Sequence, residues 1–97
     1  MQIAIVIGSV WSTRKEESLV GRKLLIVRPL DILDENADIQ PIVAVDTIGA
    51  GVGEMVLLVS GSSARVAARD EQTPTDAAIV GIIDDKEVDK RYARAGV

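Results

Sequence analysis

Cysteine, histidine and phenylalanine are absent from this 97-residue chain, and tryptophan and tyrosine occur once each. Without cysteine there is neither a disulfide framework nor a thiolate metal site, which suits a reducing cytoplasm. Without histidine the usual general base is missing as well, so catalysis finds little material. The scarcity of aromatic rings argues against the stacking platform with which barrel domains hold single-stranded nucleic acid. Positive charge is also short: 11 Lys and Arg face 15 Asp and Glu, for a net charge of −4. Such a balance repels a polyphosphate backbone, so nucleic acid is not an expected partner. No apolar run approaches the roughly 18 residues that a membrane-crossing helix needs. The apolar start, Ile3 to Ile7, has no basic segment before it and no small-residue cleavage site after it, so no signal peptide is expected. A soluble cytoplasmic domain is anticipated, with no membrane partner.

What remains is aliphatic. Hydrophobic residues make up 47% of the chain, and they are mostly Val, Ile, Leu and Ala. The length allows one modest core. Strand character is expected at residues 3–11, 22–27, 42–46, 54–59 and 78–83, with turn-like flanks at 12–18, 28–41 and 70–76. Gly61-Ser62-Ser63-Ala64-Arg65-Val66-Ala67-Ala68 suits a short helix between strands four and five, with Ser62 or Ser63 as N-cap. Connections this short exclude most parallel crossovers, so a mainly antiparallel small barrel is expected. The tail, residues 84–96, carries acids first and bases last, with Gly96 as a stop. That order complements a helix dipole and predicts a short C-terminal helix. Its apolar stripe, Val88, Tyr92 and Ala95, is thin.

Between two apolar strands lies a glycine hinge, Asp46-Thr47-Ile48-Gly49-Ala50-Gly51-Val52-Gly53-Glu54. Glycine at every second position permits positive φ or close approach of another backbone. A dinucleotide fingerprint needs G-x-G-x-x-G opening a helix. Here Glu54 takes the place of the third glycine and a strand follows. No Gly-Lys-Ser/Thr follows either, which excludes a P-loop. The hinge therefore predicts a structural turn or a subunit contact.

Other polar groups point to structure. Ser62 and Ser63 lack the G-x-S-x-G elbow of a nucleophile and are expected to cap. Asp31, Asp34, Glu35 and Asp38 lack the spacing of a calcium loop and are expected to form a solvated loop. Asp84-Asp85 suits N-capping. Asp46 and Asp76 are candidates to meet Arg65 or backbone N–H groups. Trp11, alone at a strand end, is expected to plug the core or an interface. No cofactor and no metal are expected.

The strands do not alternate apolar with polar, as a barrel with a solvated outside should. Ile3, Ile5 and Ile7 are expected on one face and Ala4, Val6 and Val10 on the other; Ile79 and Ile83 oppose Val80 and Ile82. Burying each such side chain is worth roughly 1.5–3 kcal/mol. Half a dozen left in water forgo on the order of 10 kcal/mol, comparable to a domain's whole stability of about 5–15 kcal/mol. Partner subunits are the natural cover; a monomer covered by its own loops is the rival.

Several stretches, taken in order, carry a resemblance: Thr13-Arg14-Lys15, Leu19-Val20-Gly21-Arg22-Lys23-Leu24-Leu25, Val45-Asp46, Gly49-Ala50-Gly51-Val52-Gly53-Glu54, Gly61-Ser62-Ser63-Ala64-Arg65, and Asp76-Ala77-Ala78-Ile79-Val80-Gly81-Ile82-Ile83-Asp84. Together they resemble the EutN/CcmL family of bacterial microcompartment vertex proteins. The resemblance spans residues 1–84 as a barrel domain, leaving 85–97 as a charged helix or tail. It implies a five-stranded OB-like β-barrel assembled as a homopentamer. It also implies a structural role without enzymatic activity, closing the corners of a polyhedral shell whose facets are hexameric shell proteins. Carried over, Asp46, Gly49, Ala50, Gly51, Val52, Gly53, Glu54 and Arg65 are candidates for subunit contacts or the central axis. The alternative is an OB-like binding module for nucleic acid or a small ligand.

Overall fold

The computed structural model describes residues 1–11, 21–34, 36–68, 75–89 and 91–93. Five strands and one helix follow in the order β1 (Gln2–Val10), β2 (Lys23–Pro29), β3 (Ile42–Asp46), β4 (Met55–Ser60), α1 (Ser62–Ala67) and β5 (Ala77–Ile83). The strands close into a barrel in the spatial order β1-β2-β3-β5-β4. Closure removes the free sheet edges that a small all-β domain would otherwise expose. All seams are antiparallel except β3 with β5, which is parallel. That parallel seam is short, pairing Val45 with Ala78 and Asp46 with Ile79. Thr47 extends it: its hydroxyl donates to the Ile79 carbonyl at 2.6 Å.

The inward face is made of Ala4, Val6, Leu25, Val27, Ala44, Val56, Leu58 and Ile79, all buried, with Ala50 and Ala77 closing the core. Ala4 and Ala44 sit beside the branched Val6, Leu25, Val27, Val56, Leu58 and Ile79, a mix of small and large side chains that fills a narrow interior at close packing. On β2 the alternation is clean, with Leu25, Val27 and Pro29 inside and Leu24, Ile26 and Arg28 outside.

Two bulges revise the expected facing. In β1 the register shifts between Val6 and Gly8, so Val6 pairs with the inward Val27 whereas Val10 pairs with the outward Leu24. Val6 and Val10 therefore lie on opposite faces. In β5 the register passes from Ile79 opposite Leu58 to Gly81 opposite Leu57, which leaves Val80 as the extra residue. Ile79 pairs with the inward Leu58; beyond the bulge Ile82 pairs with Val56 yet lies 42% exposed near the strand end, and Ile83 pairs with the outward Met55. Each bulge adds local twist, which helps a five-stranded sheet curl closed. Gly81 has its own reason to be glycine: an added Cβ would lie 3.2 Å from Leu57 Cδ1.

The helix forms where expected, but Gly61, at φ 63°, takes the N-cap position and no side chain caps. Neither Ser62 nor Ser63 is needed there, because the Gly61 N–H reaches across to the Asp76 carbonyl at 2.8 Å and fixes the helix entry. Ala64 anchors α1 to the core.

The expected C-terminal helix does not form over residues 84–89. Asp85 accepts a hydrogen bond from the Lys86 N–H, and Asp89 accepts the Arg91 N–H, so these acids turn the chain locally. Aspartate competes with the helical backbone in this way, and a short segment with a thin apolar stripe cannot nucleate a helix against it. The Arg91 guanidinium also bonds the Asp89 carboxylate, holding its pKa below the ordinary value while raising that of Arg91. The predicted loop at 12–18, Glu35, most of the 70–76 turn, Lys90 and residues 94–97 lie outside the described residues.

Candidate functional site

The glycine hinge is folded back on itself. At its start Asp46 accepts the N–H groups of Ile48 at 3.0 Å and Gly49 at 3.1 Å through Oδ1. This is the turn that a short carboxylate builds with the backbone two and three residues on. It lets Gly49 adopt φ 87°. The same carboxylate lies 3.7 Å from Lys23 Nζ, and its side chain is almost fully buried. Lys23 in turn donates to the Ala50 carbonyl at 2.7 Å. Cation and carboxylate face each other because Lys23 and Asp46 are register partners at the end of the β2/β3 ladder.

The second half closes through Gly51 and Glu54. Gly51 N–H donates to Glu54 Oε1 at 2.6 Å, and Glu54 N–H donates to the Gly51 carbonyl at 3.1 Å. With Gly53 at φ 91°, the four residues form a turn whose third position requires glycine. The Gly53 N–H then reaches the Val6 carbonyl at 2.8 Å, and Val6 N–H reaches the Glu54 carbonyl at 3.0 Å. The hinge is thereby stitched to the bulged part of β1.

This geometry determines what the loop can do. The N–H groups of Ile48, Gly49, Gly51, Gly53 and Glu54 are all satisfied within the chain. A phosphate cradle needs such donors free and convergent, so the hinge is not one. It presents apolar surface instead: Ala50 points into the core, while Val52 is 68% exposed and Ile48 42%.

The structure thus brings Asp46, Gly49, Ala50, Gly51, Val52, Gly53 and Glu54 into one element. Arg65 stands apart on α1, half-buried. The C-terminal end of α1 does approach the hinge. Ala67 and Ala68 share with Arg22, Lys23, Thr47 and Gly49 a groove of about 610 Å³, which Arg65 does not line. Of the two partners considered for Asp46, backbone N–H groups are the ones it meets. Lys23 and Thr47 went unnoticed in the sequence; the strand register that pairs Lys23 with Asp46 is the signal that would have found the former.

The remaining candidates resolve into structure. Asp31 accepts the Leu33 N–H at 2.9 Å and Asp34 accepts the Asn36 N–H at 3.1 Å, so these acids shape turns. Among the described residues no three metal-ligating side chains converge. Trp11 is 93% exposed and therefore does not plug the core of the lone chain. Further aliphatic surface lies bare at Ile7, Val43, Val66 and Ile82. Among the described residues no helix is long and apolar enough to cross a membrane.

Comparison with known proteins agrees with this architecture. Residues 1–84 match the family described as ethanolamine utilisation protein EutN/carboxysome. The bacterial microcompartment shell vertex protein EutN of Salmonella typhimurium is 48% identical over 85 residues, covering 88% of this chain and 85% of that protein. The carboxysome shell vertex protein CcmL of Gloeobacter violaceus is 46% identical over 95 residues, covering 94% of this chain and 90% of that one. Among solved structures, the pentameric microcompartment shell protein GrpN from Rhodospirillum rubrum superposes with a TM-score of 0.80 at 46% identity. It covers 91% of this chain and all of the other. A family match through the whole barrel, near-half identity to full-length relatives and a shared five-stranded closure place this chain in the EutN/CcmL family.

Proposed function

We propose that this chain is the vertex subunit of a bacterial microcompartment shell, five copies forming a ring at each corner. The observation that carries the proposal is the near-full-length likeness to proteins named shell vertex proteins, one of them solved as a pentameric shell protein. The physics of the lone subunit points the same way. Ile7, Val43, Ile48, Val52, Val66 and Ile82 stay bare on a domain too small to cover them, and neighbouring copies are the economical cover.

The mechanism is geometric. A flat sheet of six-fold tiles cannot close, and a five-fold tile at each corner supplies the missing curvature. Hexameric shell proteins of the same compartment are thus the expected outer partners of the ring, in the cytoplasm of the host. The hinge, with Val52 and Ile48 outermost, is assigned to contacts between subunits or to the central axis, and Arg65 to a contact on α1. No enzymatic step is assigned: the carboxylates of Asp46 and Glu54 and the N–H groups of Ile48, Gly49, Gly51, Gly53 and Glu54 are engaged in holding the hinge's own shape.

The rival OB-like binding module finds less support, since the N–H groups of Ile48, Gly49, Gly51, Gly53 and Glu54 are occupied and the charge is negative. Native mass spectrometry tests the proposal directly. A pentamer is expected, and host shells lacking this chain should be open at their corners or elongated. A persistent monomer, or closed regular shells without it, would reject the vertex role. A salt-dependent shift of single-stranded DNA would instead favour the binding module.

A further inference from the structure

Arg28 holds a polar atom that the lone chain leaves unanswered. It stands on β2 between the inward-facing Val27 and Pro29, so its side chain leaves the barrel on the outer side. In register it lies opposite Ile5 of β1, and Ile5 lies opposite Met55 of β4. Ile26, two positions away on the same face, completes an apolar collar. Within that collar the Nε of Arg28 is shielded from solvent and donates to no acceptor among the described residues.

A shielded donor on a permanent cation forfeits its hydration without regaining a hydrogen bond, an arrangement that folded proteins rarely leave in place. The planar guanidinium is shaped for a carboxylate, which it binds through paired N–H groups. The chain has carboxylates to spare. Asp38, Asp84 and Glu87 are exposed, and among the described residues none of them makes a hydrogen bond or ion pair. A net charge of −4 per copy means that subunits brought together repel unless some acids meet cations across the seam. In a ring each copy offers one surface to the neighbour on its left and a different one to the neighbour on its right. A shielded cation and exposed, unpaired acids can therefore answer one another between copies.

We infer that Arg28 anchors one subunit to the next, its guanidinium receiving a carboxylate of the adjacent copy across the outer barrel face beside Ile5, Ile26 and Met55. This rests on the ring assembly proposed above. The half-buried setting of Arg28 adds to the pair's strength, because a partly buried charge pair is screened less than one on an open surface.

The test is a dilution series followed by native mass spectrometry and sedimentation, on the wild type, Arg28→Glu and Arg28→Met. Circular dichroism of each variant checks that the subunit stays folded. Reversal places like charges together and should raise the concentration for half-assembly at least about thirty-fold, the range seen when a desolvated interfacial pair is broken. Arg28→Met keeps the aliphatic stem while removing the donor, and should shift assembly in the same direction by less. It decides the matter if the reversed variant fails to fold. One of Asp38→Lys, Asp84→Lys or Glu87→Lys, combined with Arg28→Glu, should restore assembly. Unchanged assembly in both single variants, or no recovery from any of the three reversals, overturns the anchor while leaving the ring intact. A wild-type chain that stays monomeric overturns the ring itself.

Discussion

Gly51 and Glu54 hold each other by two hydrogen bonds running in opposite directions, the Gly51 N–H to the Glu54 carboxylate at 2.6 Å and the Glu54 N–H to the Gly51 carbonyl at 3.1 Å. A carboxylate that in a nucleotide-binding loop would repel phosphate here closes the loop on itself. Rigidity of the hinge, and with it the display of Val52, follows from that pair.

Removing the Glu54 carboxylate should loosen the turn. Glu54→Ala leaves the Gly51 N–H unanswered in a part-buried position, at a cost of about 1–3 kcal/mol. Glu54→Gln keeps an acceptor and should lose less. Denaturant unfolding of both variants checks the order; equal losses would mean that the side-chain bond contributes nothing.

The hinge glycines should differ from one another. Gly53 sits at φ 91° with open space around its missing Cβ, so Gly53→Ala meets backbone strain of about 1–2 kcal/mol and no clash. Gly51 has no such strain, but a Cβ there would stand 3.3 Å from Glu54 Oε1. Gly51→Val should therefore displace the carboxylate and impair ring formation more than it unfolds the subunit. Melting curves alongside native mass measurement separate the two effects. Intact pentamers in the valine variant would refute a contact role for this glycine.

At the other end of the hinge, Asp46→Ala strips acceptors from both Ile48 and Gly49 and should cost about 1–3 kcal/mol. Asp46→Asn retains a carbonyl oxygen and should cost less. Lys23 is half-exposed, so its ion pair with Asp46 is worth no more than about 1 kcal/mol. Lys23→Met should be the mildest of the three in chemical denaturation, and a reversed ranking would show that the ion pair matters more than the turn.

Val52 separates assembly from folding. Being exposed and remote from the core, Val52→Ser should change the stability of the isolated subunit by no more than about 0.5 kcal/mol. If the hinge meets a neighbour, the same change should shift the ring toward smaller species on dilution. Sedimentation at falling concentration reads this out, and an unaltered profile would remove Val52 from the interface.

Local pattern was enough to locate every strand within two residues and to place α1, because β-branched runs and turn residues act over a few positions. The family motifs were equally legible, since glycine spacing and Asp46 are local features of one hinge. Facing was not. Val10 was expected beside Val6, and Ile79 beside Ile83; bulges at Ile7 and Val80 separate both pairs. A bulge is a relation between two strands distant in sequence, and neither strand signals it alone. The tail failed for a related reason. Its charges favour a helix, but Asp85 and Asp89 spend their carboxylates on nearby N–H groups, and no core lies beneath to outweigh that choice.

Composition and local order by themselves established an aliphatic barrel domain with a glycine hinge and neither cysteine nor histidine, and showed its family likeness. Tertiary structure alone decided that Glu54 locks the hinge, that Lys23 braces it, that Val52 and Ile48 face outward, and that Arg28 waits within an apolar collar. Which backbone donor a carboxylate meets, and which side of a sheet a residue occupies, depend on registers set by contacts far apart in the chain, and those exist only once the barrel has closed.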